Sequence, residues 1–137
     1  MNPSYNLFSF SRYNVKQSPD QESFELKVSQ NQENEIEVCT KYTGTATKTN
    51  MVVTEIEMLS GFVPIDASLK DLKGVKKFEF DDKTDTVALY FNEMPKTEIC
   101  LKFLVKEVTE IKDRKPAVAK VYDYYNQKDI VSIEYNL

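Results

Sequence analysis

Apolar and polar residues alternate with a period of two along most of this chain, and no other feature narrows the fold as far. In "SFELKVS", Phe24, Leu26 and Val28 share a face. In "EIEVCTKY", Ile36, Val38 and Tyr42 face one way and Glu37, Cys39 and Lys41 the other. "NMVVTEIEMLSGF" reads as one longer strand with Val52, Ile56 and Met58 opposite Glu55 and Glu57. "KKFEF" pairs Phe78 with Phe80, "TVALYF" aligns Val87, Leu89 and Phe91, and "TEICLKFLVKEV" sets Ile99, Leu101, Phe103 and Val105 against Cys100, Lys102 and Lys106. "AVAKVYDYY" and "DIVSIEY" complete the set. Between these runs lie turn-forming stretches: "SPDQ" (18–21), "SQNQEN" (29–34), "TGTATKTN" (43–50), "DDKTD" (81–85), "NEMPK" (92–96), "KDRKP" (112–116) and "NQKD" (126–129). Eight or nine such strands predict an all-β fold, a two-sheet antiparallel β-sandwich with one core face per strand. The 137 residues suit a single domain, with residues 1–6 as a loose leader.

One stretch breaks the pattern. "GFVPIDASLKDLKG" (61–74) predicts a short α-helix over about residues 66–73. Asp66 follows Pro64 as an N-cap, and Gly74 suits the position after the helix end. Ile65, Leu69 and Leu72 recur at helical spacing and form the buried stripe. Asp66, Lys70 and Lys73 then share a flank, which from local physics alone reads as the solvated side of a lid helix.

Composition excludes several chemistries. The chain has no histidine, which removes the usual catalytic triads and most zinc sites. Its three glycines do not form a phosphate loop. Asp81, Asp82 and Asp85 lack the spacing of a calcium loop and read as a solvated turn. Tyr122, Tyr124 and Tyr125 around Asp123 read as a strand with tyrosines on both faces. No catalytic residues, metal ligands or cofactor are expected. A net charge of −4 argues against nucleic acid as a partner, and no apolar run is long enough to insert in a membrane. Cys39 and Cys100 both lie on the polar face of their strands. If those strands are neighbours a disulfide can form there, which points to an extracellular setting; two free thiols are the alternative.

"TNMVVTEIEMLSGFVP" (49–64), the short helix after it, "KPAVAKVYDYYNQ" (115–127) and the final "EYN" (134–136) together resemble the receptor-binding domain of the α2-macroglobulin family, over roughly residues 20–137. "VCTKYTG" (38–44) and "TEICLKF" (97–103) resemble the paired cysteines of the complement-component and fish-type members, where the two are bridged. The resemblance implies a β-sandwich with one helix and a recognition role rather than catalysis. It places the domain in a large secreted protease trap with an internal thioester. Such a trap is cleared, once protease has reacted, by the low-density-lipoprotein-receptor-related protein or a similar endocytic receptor. Neither a thioester motif nor a bait region lies in this chain, so its partners would include the remainder of a parent macroglobulin chain. The alternative within the same resemblance is a structural domain of a complement-like or cell-surface thioester protein that binds no endocytic receptor.

The family's receptor contact centres on two lysines one helical turn apart. The second corresponds to Lys70, whereas the first falls on Asp66, of opposite charge. Lys73 offers a substitute, and Lys76 and Lys77 add positive potential.

Overall fold

The structure, a computed structural model, describes residues 23–32, 34–70, 72–113 and 115–136; the expected leader and the 18–21 turn lie outside the described residues. Among the described residues, nine strands and one helix follow in the order β1 (Phe24–Gln32), β2 (Glu35–Tyr42), β3 (Val52–Glu57), β4 (Phe62–Pro64), α1 (Asp66–Leu69), β5 (Val75–Asp81), β6 (Thr86–Phe91), β7 (Ile99–Glu107), β8 (Ala117–Asp123) and β9 (Asn126–Tyr135). They form a four-stranded sheet, β1-β2-β7-β4, and a five-stranded sheet, β5-β6-β3-β8-β9. Every strand pair is antiparallel, as the alternation requires.

The alternation decides what fills the space between the sheets. Phe24, Leu26, Ile36, Val38, Leu101, Phe103 and Val105 come from the smaller sheet, and Val52, Ile56, Val87, Leu89, Phe91, Ala119 and Val121 from the larger. All are buried. Thr40 and Thr54 are also buried, and neither hydroxyl has a hydrogen-bond partner among the described residues. Tyr135 closes one end of the core and donates its hydroxyl to the Glu57 carbonyl.

Burial, with the nearby Glu57 charge, pushes the Tyr135 phenol above its ordinary value of 10.0. Its stabilising effect is therefore complete below about pH 10 and is lost as pH rises toward the folded value. We expect the urea midpoint to fall as the pH rises above about 10, with Tyr135 contributing at most about 1.4 kcal/mol per pH unit there. Tyr135→Phe should flatten that fall; an unchanged slope in the variant would remove Tyr135 as its source.

Two elements differ from the sequence expectation. The long strand expected across 50–62 ends at Glu57, and Phe62–Pro64 pairs with β7 in the opposite sheet. Gly61 makes the crossover: its φ of 89° is a left-handed conformation that side-chain-bearing residues disfavour. Its carbonyl accepts the amides of Val108 and Thr109. The helix is also shorter than the expected 66–73. It spans Asp66–Leu69, Ile65 occupies the N-cap with no side-chain cap, and Lys70 ends it. Gly74 adopts φ 86° as expected of it, but in a turn closed by Val75 N–H on the Leu72 carbonyl.

Candidate recognition surface and its anchoring

A helix this short has almost no stability of its own, because nucleation fixes several residues for one hydrogen bond. The edge of β7 supplies the rest. Beyond Pro64, Ile65 N–H donates to the Leu104 carbonyl at 2.8 Å, which extends the β4–β7 ladder by one bond. The Ser68 hydroxyl then accepts the Leu104 N–H at 2.9 Å and donates to the Ile65 carbonyl at 2.6 Å. One serine side chain thus satisfies a strand-edge donor and a helix-start acceptor together. Leu69, only 1% exposed, drives the helix into the core, and Leu72 packs partly against it. Nothing in the local sequence singles out Ser68; its role depends on a strand 36 residues away.

The helix therefore lies along a strand edge, with Ser68 turned toward β7 and Asp66 facing outward. Asp66 and Lys70 are both exposed. No ion pair joins Lys70 or Lys73 to a described carboxylate. Lys73 lies past the helix, in the turn before β5, beside a cleft of about 360 Å³ floored by Phe91, Ile99 and Leu101. Lys76 is exposed at the start of β5. Lys77 is committed elsewhere: its ammonium lies 3.9 Å from Glu79 and 4.6 Å from the Tyr90 ring centre, on the outer face of the larger sheet. The helix turn thus brings Asp66 and Lys70 together, leaves Lys73 adjacent in the chain, and separates Lys77 from them.

Cys39 and Cys100 stand directly opposite each other on β2 and β7 and are bridged. Cys100 is exposed, so the disulfide fastens the outer face of the smaller sheet and not the core. The bridged strand is the one that anchors α1. Glu37 lies near the two sulfurs, but disulfide sulfurs are poor metal donors, and this group carries no metal argument.

The remaining clusters resolve as local structure. Asp81 caps its own turn by accepting Lys83 N–H, and Asp85 holds φ 54° in the same hairpin. Contrary to the sequence expectation, the tyrosines do not lie on two faces of one strand, because β8 ends at Asp123. Asp123 is buried and accepts the amides of Tyr125 and Asn126 and the side-chain amide of Asn50. Tyr122 faces outward from β8, and Tyr124 and Tyr125 occupy the turn into β9. Desolvation, then the hydrogen bond to Glu55, raises the Tyr122 phenol; desolvation, then Glu79, raises Tyr90.

Comparison with known proteins agrees with this architecture. The family described as the A-macroglobulin receptor binding domain matches residues 47–136, which include β3 through β9 and the helix. The chain is also similar to ovostatin of Gallus gallus, at 34% identity over 105 residues. That alignment covers 74% of this chain but only 7% of ovostatin, so the chain spans a small fraction of that relative's length. On the family match, the chain belongs to the α-macroglobulin family and carries its receptor-binding domain.

Proposed function

We propose that this domain is the receptor-recognition module of a secreted α-macroglobulin-like protease inhibitor. It lies within a longer parent chain and marks the protease-reacted form for uptake by an endocytic receptor of the low-density-lipoprotein-receptor class. The observation that carries this reading is the setting of Lys70: exposed, without an ion pair to a described residue, and held on a helix clamped to β7 through Ser68. An available ammonium on an anchored backbone suits a receptor module that offers calcium-organised carboxylates. Lys73 is the second contact, with Lys76 adding positive potential. The proposed role is recognition, and the proposed location is extracellular, consistent with a disulfide.

Asp66 favours the second reading. It is exposed one helical turn before Lys70, where the family pattern has a lysine, and its charge opposes an acidic receptor surface. A domain retained for the parent's architecture alone would tolerate such a reversal.

The two readings separate in a binding experiment with clusters of receptor ligand-binding repeats, with and without calcium. We expect calcium-dependent binding that Lys70→Ala weakens at least about tenfold, equivalent to about 1.4 kcal/mol. Asp66→Lys should strengthen it. Absence of calcium-dependent binding by the wild-type domain would favour the architectural reading, and a neutral Asp66→Lys would remove the helix as the contact.

A further inference from the structure

The outer face of the five-stranded sheet carries a second surface, unlike the lysine-bearing helix. In register across β5, β6, β3, β8 and β9 lie Lys77, Tyr90, Val53, Tyr122 and Ile130. The next row out is Glu79, Ala88, Glu55, Lys120 and Ser132. Val53 points outward yet is only 1% exposed, and Tyr90 and Tyr122 flank it in register. Their hydroxyls are already satisfied: Tyr122 donates to Glu55 at 2.8 Å and Tyr90 to Glu79 at 3.0 Å. In the adjoining turn, Tyr124 meets the Tyr90 ring edge-on at 6.5 Å, and Tyr125 meets Tyr124 at 5.3 Å. Tyr124 is 44% and Tyr125 72% exposed. Next to these rings Ala88, the smallest side chain of its row, helps line a groove of about 430 Å³ together with Glu55, Glu79, Asp81, Tyr90 and Lys120.

This arrangement selects its partner by charge. Rigid tyrosines give contact area at little entropic cost and are enriched at the centres of protein interfaces. Covering Tyr90 and Tyr122 would not strand a hydroxyl, because both phenols are bonded within the patch. It would desolvate Glu55 and Glu79, which an apolar or anionic partner could not compensate. A cation could, by pairing with the carboxylates while lying over the rings. The chain already holds one cation this way: Lys77 sits over Tyr90 and beside Glu79. Glu55, Glu79 and Asp81 outnumber Lys120 and the adjoining Lys77, so the groove stays negative.

We propose that this acidic groove, bounded by Tyr90 and adjoining the Tyr124 and Tyr125 rings, is an interaction surface for a lysine- or arginine-bearing segment of a partner protein, separate from the Lys70 helix. It does not depend on the receptor reading above, and its test is independent of calcium and of the receptor.

The test is an amide chemical-shift titration of the 137-residue chain with a short arginine peptide, with a glutamate peptide of equal length as control. The expected result is a saturable response centred on Glu55, Ala88, Tyr90 and Tyr124 with the arginine peptide alone. Joint Tyr124→Ala and Tyr125→Ala substitution, at exposed turn positions, should weaken it about fivefold. Glu79→Gln should also weaken it, and Lys70→Ala should leave it unchanged. Three results would overturn the proposal. One is no saturable response. Another is shifts spread equally over the acidic 81–85 hairpin. The third is affinity unaltered by the tyrosine substitutions, which would leave charge alone as the cause.

Discussion

Removing the Cys39–Cys100 bridge is expected to lower the unfolding free energy of the domain by about 4 kcal/mol. The estimate follows from loop closure: the two cysteines are 61 residues apart, and a cross-link of that span removes much of the freedom of the unfolded chain. The native state should change little, because the bridge lies on the outer face and supports no core side chain. The cost therefore falls on the unfolded ensemble, which gives the prediction a second part. The reduced chain should unfold with a larger urea slope, since its denatured state exposes more surface. The measurement is urea denaturation of the wild type against Cys39→Ser/Cys100→Ser. A double variant within about 1 kcal/mol of wild type would contradict loop entropy as the main effect.

Gly61→Ala should cost about 3 kcal/mol. Two penalties combine. The backbone there is left-handed at φ 89°, which costs a side-chain-bearing residue about 1–2 kcal/mol. An added Cβ would also lie 2.1 Å from the Thr109 carbonyl oxygen, which is backbone and cannot swing aside. Gly74 provides the internal control, with nearly the same φ of 86° and nothing within 4 Å of an added Cβ. Gly74→Ala should therefore cost only the backbone share, about 1–2 kcal/mol. Urea midpoints at unchanged slope test the pair. Equal costs at the two sites would mean that the approach to Thr109 relaxes freely.

The contrast between these glycines also marks what local patterns can and cannot reveal. β2 and β6 begin and end where the alternation says, because each has one face on the core and one in water. The facing of Cys39 and Cys100 was legible for the same reason. The break after Glu57 was not, because Met58 and Leu59 remain buried as the chain leaves the sheet, so apolar residues continue past the end of the strand. Gly61 was the visible signal, and only its φ made it decisive. The helix misled in the opposite direction. Ile65, Leu69 and Leu72 have helical spacing, but the backbone of Leu104 captures Ile65 and Ser68 and fixes a single turn. At the candidate site, the family resemblance pointed to Lys70 as the proposed contact, whereas no local signal pointed to its anchor Ser68. The diversion of Lys77 to Glu79 and Tyr90 needed the fold of β5 against β6.

The serine clamp changes what an exposed lysine can report. Lys70 is positioned by β7, which pairs with both β2 and β4 and is bridged to β2. A receptor gripping Lys70 would therefore sense more than a positive charge. It would sense that a strand edge thirty-odd residues further along the chain is correctly paired. A copy with that edge melted would present the same lysine on a mobile loop, without the fixed approach that a calcium-organised pocket needs. On the proposed function, clearance would then act as an inspection of the sandwich as well as a count of reacted inhibitor.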